Sequence, residues 1–255
     1  MDNLTVILVQ PQGPLNVGSV CRVMMNFGFN ELRLVNPCKE YKSEQARKMA
    51  LSAQQMLLEA PIFNTLSEAL ADCNIAFGTT RRFGKYRKHF LTPEPAGEAI
   101  AATDDSMKCA LVLGREDNGL TTEELALCQY FVTIPTDDAF PSMNLSHALG
   151  ILLYETSKAM RNKAKALSSQ LNATQLNATT KSAASIEAIE QMYSHIRKTL
   201  CDIEFLDSQN PDHLLRTFRR IFGKSGLMDR DVRIIRGLMS KIEWVNSQRK
   251  QYSDG

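Results

Sequence analysis

The alternation of short apolar runs with helical patterns over the first 155 residues constrains the fold more than any other feature of this chain. Runs typical of buried strands lie at 4–9, 31–35, 75–78, 109–114 and 130–135. Helical patterns lie at 16–28, 44–59, 66–72 and 121–128, and the last of them opens with a capping-box sequence, Thr121-Thr122-Glu123-Glu124. Strands that are apolar throughout are buried on both faces. The pattern therefore predicts an α/β fold with a mainly parallel sheet covered by helices.

A different organisation begins near residue 144. One long helical pattern covers 144–166, with an apolar stripe that includes Leu145, Leu149 and Leu152. A low-complexity stretch over 168–185 repeats Gln-Leu-Asn-Ala-Thr twice, which is typical of a flexible linker. Three further helical patterns follow, near 185–206, 211–222 and 229–250. We therefore predict an α/β domain over 1–166, a flexible linker over 167–185 and a small all-α domain over 186–255.

Charge divides the chain in a similar way, although the net charge of the whole is only +2. Residues 1–155 hold 13 Lys/Arg against 18 Asp/Glu, a net of −5, and 156–255 hold 17 against 10, a net of +7. A basic surface is the usual electrostatic footprint of nucleic-acid binding, but basic helices are also common in proteins that bind none. Charge alone therefore leaves contact with RNA open.

Composition disfavours several classes of protein. No window approaches the roughly 18 apolar residues of a membrane helix, and Met1-Asp2-Asn3-Leu4 lacks the basic start of a signal peptide. The six cysteines include no C-x-x-C pair and mostly lie in apolar runs, so we expect reduced, buried thiols in a cytoplasmic protein. Because the four histidines are scattered without metal-ligand spacing, we expect no metal site.

The first of three polar clusters lies where the first strand gives way to a helix, at the kind of junction where open α/β sheets bind ligands. It contains Asn16, Gly18, Ser19 and Arg22. Asn16 suits the N-cap of the helix, and a thin helix start with Gly18 and Ser19 can accept an anion. Arg22 lies one turn beyond Gly18, where its guanidinium could grip a phosphate. The alternative is a solvent-exposed arginine on a capped helix.

The second and third clusters also connect a strand to a helix. Residues 113–120, Leu-Gly-Arg-Glu-Asp-Asn-Gly-Leu, carry two glycines that would let a ligand approach the backbone, and they match neither a dinucleotide fingerprint nor a P-loop. The third cluster follows Ile134-Pro135 and includes 141–146, Pro-Ser-Met-Asn-Leu-Ser. Met143 and Leu145 fit either the wall of an adenine pocket or ordinary core. Asn144 and Ser146 fit a helix cap.

A basic loop over 81–90 interleaves cations with three aromatic residues. Its cations include Arg81, Arg82, Lys85, Arg87 and Lys88. Aromatic and arginine side chains can stack on unpaired bases while lysines meet phosphates, so the loop indicates RNA binding, with a solvated charged surface as the alternative. In the basic tail, the further RNA-binding candidates are Arg216, Arg219 and Arg220.

Taken together and in this order, the sequences N-x-G-S-x-x-R, L-G-R-E-x-x-G-L and I-P…S-M-N-L-S resemble the three motifs of the SpoU/TrmH branch of the SPOUT methyltransferases. The resemblance spans about residues 4–160. It implies a deep trefoil knot in the C-terminal half of the sheet and an obligate homodimer with the active site at the subunit interface. With the basic helical extension, it implies S-adenosylmethionine-dependent methylation of a ribose 2′-oxygen of cytidine or uridine in the tRNA anticodon loop.

The resemblance also implies roles for individual residues. Arg22 is the expected key catalytic residue, and Asn16, Glu116 and Asn144 are expected to hold the site in shape. The residues expected around the methyl donor are Thr79, Thr80, Arg81, Leu113, Gly114, Ile134, Pro141, Ser142, Met143 and Leu145. The expected RNA contacts are Arg22, Arg82, Lys85, Arg87, Lys88, Arg216, Arg219 and Arg220. Met143 departs from the leucine usual in the family, and the loop over 81–90 is unusually basic.

In the expected reaction the ribose 2′-hydroxyl attacks the sulfonium methyl in line, and the protein mainly positions the two. A free guanidinium stays protonated up to about pH 12, so we expect Arg22 to orient the 2′-oxygen and the adjacent phosphate. Two alternatives remain, namely the same chemistry on ribosomal RNA and a non-catalytic RNA-binding knot protein. A dinucleotide-dependent oxidoreductase is disfavoured because Pro11-Gln12-Gly13-Pro14 lacks the Gly-rich fingerprint.

Overall fold

The computed structural model describes residues 3–81, 90–170, 183–206, 212–222 and 227–253. They form two compact units, an N-terminal one that extends to residue 170 and a C-terminal one that begins at residue 183. Each unit has its own hydrophobic core. Two predicted features, the basic residues within 82–89 and the repeat within 171–182, lie outside the described residues. The predicted RNA contacts Arg82, Lys85, Arg87 and Lys88 belong to the first of these.

Strands and helices alternate in the N-terminal unit. The strands are β1 (Leu4–Val9), β2 (Glu31–Val35), β3 (Ile62–Phe63), β4 (Ile75–Thr79), β5 (Phe90–Leu91), β6 (Cys109–Leu113) and β7 (Tyr130–Val132). The helices are α1 (Pro14–Phe27), α2 (Glu44–Ala50), α3 (Gln54–Glu59), α4 (Leu66–Ala69), α5 (Pro93–Ala102), α6 (Thr122–Ala126) and α7 (Leu145–Gln170). A 3₁₀ turn at Leu51–Ala53 divides the helix predicted over 44–59.

Within the described residues, the seven strands form one sheet in the order β3-β2-β1-β6-β4-β7-β5. Every adjacent pair is parallel, and Val6 of the buried strand β1 pairs with Leu32 on one side and Leu111 on the other. The predicted α/β fold with a parallel sheet is confirmed. Because parallel strands end at one edge, the loops that follow β1, β6, β4 and β7 lie beside one another. The trefoil knot remains a prediction from the resemblance.

Helix α1 begins two residues earlier than its sequence pattern indicated. Its N-cap is Gly13 and Pro14 is its first residue, which suits proline because the first helical N–H has no partner inside the helix. The prediction that Asn16 is the N-cap is therefore wrong. Gly18 is buried, and a Cβ added there would lie 2.1 Å from the backbone oxygen of Ala46 in α2. Its missing side chain lets two helices pack closely and does not open an anion site.

Helix α7 runs to Gln170, beyond the end near residue 166 that its pattern indicated. It packs against α5, a helix that the sequence patterns did not predict. Gly97 of α5 touches the backbone of α7, since an added Cβ would lie 2.7 Å from the carbonyl carbon of Glu155. An alanine-rich helix that packs through glycine has only a weak apolar stripe, which explains why α5 escaped detection.

The C-terminal unit is helical, as predicted. Its helices are α8 (Ile186–Asp202), α9 (Asp212–Phe222) and α10 (Asp229–Ser253). Ser185 caps α8 by accepting a hydrogen bond from the backbone N–H of Ala188. The core of the unit contains Tyr193 and Ile196 from α8, Leu215 from α9, and Val232 and Met239 from α10. Pro211, at the start of the helical pattern predicted near 211–222, lies outside the described residues. So do Gly223 and Gly226, between that pattern and the one near 229–250.

All six cysteines are free thiols, as predicted, and four of them are buried. Burial raises the pKa of the Cys21 and Cys128 thiols to about 12, so both stay protonated at neutral pH. No helix in the described ranges is long and apolar enough to cross a membrane. The same ranges contain no group of three or more His, Cys, Asp or Glu side chains placed to hold a metal ion.

Candidate active site

The carboxylate of Glu116, in the loop after β6, binds the start of helix α1. Its two oxygens accept hydrogen bonds from the backbone N–H groups of Gln12 at 2.9 Å and Gly13 at 3.0 Å. The first amides of a helix lack partners inside the helix and carry the positive end of its dipole, so a carboxylate is well placed there. The anion at this helix start is thus a side chain of the protein itself. From the sequence we expected a bound anion at this helix start.

Asn16 connects Glu116 to the third cluster. Its side-chain amide donates to Glu116 Oε1 at 2.9 Å, and its Oδ1 accepts from Asn144 Nδ2 at 2.8 Å. Asn144 in turn caps α7, because its Oδ1 accepts from the backbone N–H of Ser146 at 2.9 Å. The three residues expected to hold the site in shape therefore form one hydrogen-bonded chain. That chain joins helix α1 to segments that are 100 and 128 residues away in sequence.

Arg115 fixes the loop after β6, and sequence reasoning gave it no role. Its guanidinium makes two hydrogen bonds to the Glu124 carboxylate, at 3.0 and 2.9 Å, and its Nε donates to Gln10 Oε1 at 2.9 Å. The hydrogen bonds that Arg115 donates to the Glu124 carboxylate raise the pKa of Arg115 above its ordinary value. Glu124 also completes the predicted capping box with Thr121, which is confirmed. The capping box was the available signal that an acid would lie beside this arginine.

The two glycines of this loop serve the loop's own geometry. Gly119 has φ +67°, in the left-handed region that favours glycine. A Cβ added to Gly114 would lie 2.2 Å from the backbone of Gly119, so only glycine lets the loop close on itself. Both glycines also line the cavity described below, so the expectation that they let a ligand approach the backbone stays a prediction beside this internal requirement.

A cavity opens at the carboxyl edge of the sheet, between the loops that follow β4, β6 and β7. All ten residues expected around the methyl donor line it: Thr79, Thr80, Arg81, Leu113, Gly114, Ile134, Pro141, Ser142, Met143 and Leu145. Sequence reasoning missed other lining residues, among them Val132, Thr133, Thr136 and Ala148. Only their positions could have indicated them, because the first three lie within two residues of Ile134 and Ala148 lies one helical turn after Leu145.

Arg22 lies on the exposed side of α1. No hydrogen bond or ion pair links its guanidinium to any other described residue, so it is available to a ligand. Leu15, one residue before Asn16, lies two turns back from Arg22 and shares its face of the helix. The hydrogen-bonded network of Glu116, Asn16 and Asn144 thus does not include Arg22, although Asn16 and Arg22 belong to the same sequence motif.

The RNA-binding candidates of α9 fall into two groups. Arg216 and Arg220 are exposed. Arg219 donates to both carboxylate oxygens of Glu190 and lies over the ring of Tyr193, 4.3 Å from its centre. The Arg219 guanidinium is therefore engaged within the unit, in a charge-assisted pair with Glu190, and contact of these three arginines with RNA stays a prediction.

Comparison with known proteins decides the family. Residues 3–154 match the model of the SpoU rRNA Methylase family, and 187–253 match that of the tRNA methyltransferase TrmJ, C-terminal domain. The tRNA (cytidine/uridine/adenosine-2′-O-)-methyltransferase TrmJ of Pseudomonas aeruginosa is 34% identical over 96% of this chain and 95% of its own. The chain belongs to the TrmJ family of SpoU methylases.

Other TrmJ relatives agree over nearly the whole chain. The tRNA (cytidine/uridine-2′-O-)-methyltransferase TrmJ of Escherichia coli K12 is 32% identical, over 98% of this chain and 99% of its own. The crystal structure of TrmJ from Z. mobilis ZM4 superposes with a TM-score of 0.77 at 30% identity, and covers 94% of this chain and 98% of its own. Both parts of the chain, the α/β unit and the helical extension, thus have counterparts in the family.

The cavity fits S-adenosyl-L-methionine, the methyl donor of SpoU methylases. Ile134 and Met143 are half-buried and Leu145 is buried, so apolar atoms face the cavity and can pack against an adenine ring. Hydroxyl and carboxylate side chains from Thr80, Ser142 and Asp117 complete the lining and suit the polar parts of the donor. The residues of this TrmJ member are therefore compatible with the cofactor that the sequence predicted.

Proposed function

We propose that this chain transfers a methyl group from S-adenosylmethionine to the ribose 2′-hydroxyl of a cytidine or uridine in the anticodon loop of tRNA. The observation that carries the proposal is the hydrogen-bonded chain from Glu116 through Asn16 to Asn144 beside the lined cavity. It fixes the loops after β6 and β7 against helix α1, which bears Arg22. Curated TrmJ relatives at 32–34% identity carry the corresponding tRNA activity in their names.

The donor supplies an electrophilic methyl group, and the residues of this chain position its acceptor. Glu116 is a poor candidate for the base, because three hydrogen bonds already engage its carboxylate. A guanidinium is protonated at neutral pH and is also a poor base. We therefore assign to Arg22 the orientation of the ribose 2′-oxygen and of the adjacent phosphate. The proton of the 2′-hydroxyl passes through that phosphate to water. Positioning of this kind can supply much of the rate enhancement.

We further propose that two copies form a homodimer through α1 and α7, and that the partner completes the active site. Leu15 and Met25 of α1 are 47% and 40% exposed, and Tyr154 of α7 is 50% exposed. The rings of Phe27 and Tyr154 contact each other edge to face, so the two helices present one continuous apolar surface. Arg22 lies on this surface, which would bring it close to the partner.

A cytoplasmic location completes the proposal, since the free cysteines favour a reducing compartment. The proposal is tested by methyl transfer from radiolabelled S-adenosylmethionine to tRNA and to ribosomal RNA transcripts. We expect label in tRNA as a 2′-O-methylated nucleoside. Label in ribosomal RNA alone would assign the enzyme to the other substrate, and RNA binding without transfer would make the chain a non-catalytic binder. Sedimentation of the same sample tests the dimer.

A further inference from the structure

Helix α10 has two apolar faces, and only one of them is covered. Val232 and Met239 lie in the core of the C-terminal unit, against α8. On the opposite side Ile234, Leu238 and Trp244 are 59%, 57% and 55% exposed. One apolar stripe is enough to hold a helix against its core. The second stripe therefore calls for a partner outside the unit.

A glycine interrupts this exposed side. Gly237 lies in the middle of α10, where glycine is among the least favourable residues. A Cβ added there would meet nothing within 4 Å, so no close packing within the described unit requires glycine. Arg233 and Lys241 lie one turn on either side of it. The result is a notch where a large ligand can reach the helix backbone between two cations.

Trp244 lies one turn beyond Lys241, on the same side of α10. The Lys241 ammonium sits 3.7 Å from the centre of the indole, which is a cation–π contact. The indole is nevertheless more than half exposed, so it offers aromatic surface beside a positive charge. An exposed aromatic ring next to a cation is the arrangement on which unpaired bases stack.

The charge of this side favours an anionic partner. Arg230, Arg233, Arg236 and Lys241 are exposed, and none has an ion-pair partner among the described residues. Two of the three acids of α10 are engaged elsewhere, since Asp231 accepts from the backbone N–H of Met228 and Glu243 accepts from Thr199. The third, Asp229, is the first residue of the helix. A second copy of the same surface would bring like charges together, which disfavours self-association.

We propose that an unpaired segment of RNA binds along the α10 outer face, defined by Arg230, Arg233, Gly237, Lys241 and Trp244. A base stacks on Trp244, the RNA backbone crosses the notch at Gly237, and phosphates meet Arg233 and Lys241. The assignment of this RNA to the tRNA substrate rests on the proposed function. The binding surface itself rests on the exposure, charge and notch of α10.

Fluorescence anisotropy with the full chain and a tRNA transcript tests the surface. Trp244→Ala is expected to weaken binding by about 10-fold or more. In the double variant Arg233→Ala/Lys241→Ala, the slope of log affinity against log salt should fall in magnitude by roughly 1.4, or about 0.7 for each lost phosphate contact with single-stranded RNA. Lys198→Ala, on α8 and away from this face, is the charge control and should leave both quantities near wild type.

Gly237→Gln separates binding from folding. Glutamine is a better helix former than glycine and its side chain meets open space, so thermal stability should rise or stay unchanged. The side chain fills the notch, so tRNA affinity should fall. A variant with wild-type stability and lost affinity cannot be explained by a structural role of Gly237. Wild-type tRNA affinity in this variant would show that the notch at Gly237 is not part of the RNA-binding surface.

The outcomes distinguish this surface from the proposed function. In methylation assays, Trp244→Ala should raise the KM for tRNA and leave kcat unchanged. If the wild-type chain methylates tRNA while all three variants bind it normally, the surface is wrong and the function stands. If the wild-type chain binds tRNA through this face without methylating it, the function fails and the surface stands. Altered sedimentation of the variants with unchanged tRNA affinity would identify the face as a protein interface and overturn the proposal.

Discussion

Asn16 and Glu116 lie 100 residues apart in sequence, and their side chains share a hydrogen bond of 2.9 Å at the start of helix α1. The same Glu116 oxygen accepts the backbone N–H of Gly13, so one carboxylate holds both the helix start and the asparagine that leads to Asn144. Helix α1 therefore positions the loops that line the cavity, although it contains none of the residues of those loops.

Glu116→Gln should destabilise the N-terminal unit by about 1 kcal/mol, because the helix start loses its negative charge and part of its capping. The loops around the cavity should also bind the methyl donor less tightly. Chemical denaturation measures the first effect, and calorimetric titration with S-adenosylmethionine measures the second. Glu98→Gln provides the control, because it removes the same charge from an exposed residue of α5 that neither lines the cavity nor belongs to the Glu116 network. Unchanged donor affinity in Glu116→Gln would separate this network from the cavity.

Arg22→Lys should lower kcat by about 100-fold or more, since an ammonium keeps the charge but loses the planar fork that orients two oxygens. Donor affinity should not change, because Arg22 does not line the cavity. Single-turnover methyl transfer and donor titration measure the two quantities. Arg47→Lys, at an exposed site on α2, is the matched control. Near-normal turnover in Arg22→Lys would show that the bidentate role is wrong.

Gly18→Ala should destabilise the protein by several kcal/mol or prevent folding, because the new Cβ would lie 2.1 Å from the Ala46 carbonyl oxygen. Gly150→Ala is the control within another helix, since its nearest neighbour would be Val23 at an ordinary 3.8 Å. This control should be neutral or stabilising by up to about 1 kcal/mol. Thermal unfolding compares the two variants. Equal stability of both would contradict the close packing of α1 on α2.

A cluster of charged residues at the edge of the sheet away from the cavity should make the stability of the protein decrease at acid pH. Hydrogen bonds from the buried Arg33 hold the pKa of Asp72 well below its ordinary value of 3.8. A carboxylate with a depressed pKa stabilises the fold above its unfolded pKa, and that contribution is lost as pH falls through the folded value. Asp72→Asn should therefore lower the Tm at pH 7, and the difference from wild type should shrink below about pH 4.

The control for Asp72→Asn is Asp105→Asn. Asp105 is almost fully exposed, and its carboxylate comes no closer than 3.9 Å to the Lys163 ammonium. Exposed pairs of this kind contribute little to stability. The Tm of Asp105→Asn should therefore follow wild type at every pH. A constant Tm difference between Asp72→Asn and wild type from pH 7 to pH 3 would contradict the pKa argument.

The fold was predictable where burial leaves a simple trace in sequence. Strands β1 and β6 are apolar throughout because helices cover both faces, so their positions could be predicted. Strands β3 and β5 contain two residues each, which is too short for any periodicity. Helix α5 packs through Gly97 and small side chains, so its buried side lacks the large apolar residues that mark a helix stripe.

The candidate site likewise has features that could be predicted from the sequence and features that could not. The residues of the cavity were predicted by resemblance, and the structure brings all ten together. What sequence could not supply was pairing between distant segments. The contact of Glu116 with the start of α1 and the pair of Arg219 with Glu190 each join segments that only the folded chain brings together.

The account is tested most directly by mapping 2′-O-methylation on tRNA from a strain that lacks the gene, before and after the wild-type chain or Arg22→Ala is restored. We expect the deletion to remove 2′-O-methyl groups from cytidine or uridine in the anticodon loop, the wild-type chain to restore them, and Arg22→Ala to leave them absent. An unchanged anticodon loop in the deletion strain, or restoration by Arg22→Ala, would contradict the proposed function or the role of Arg22, respectively.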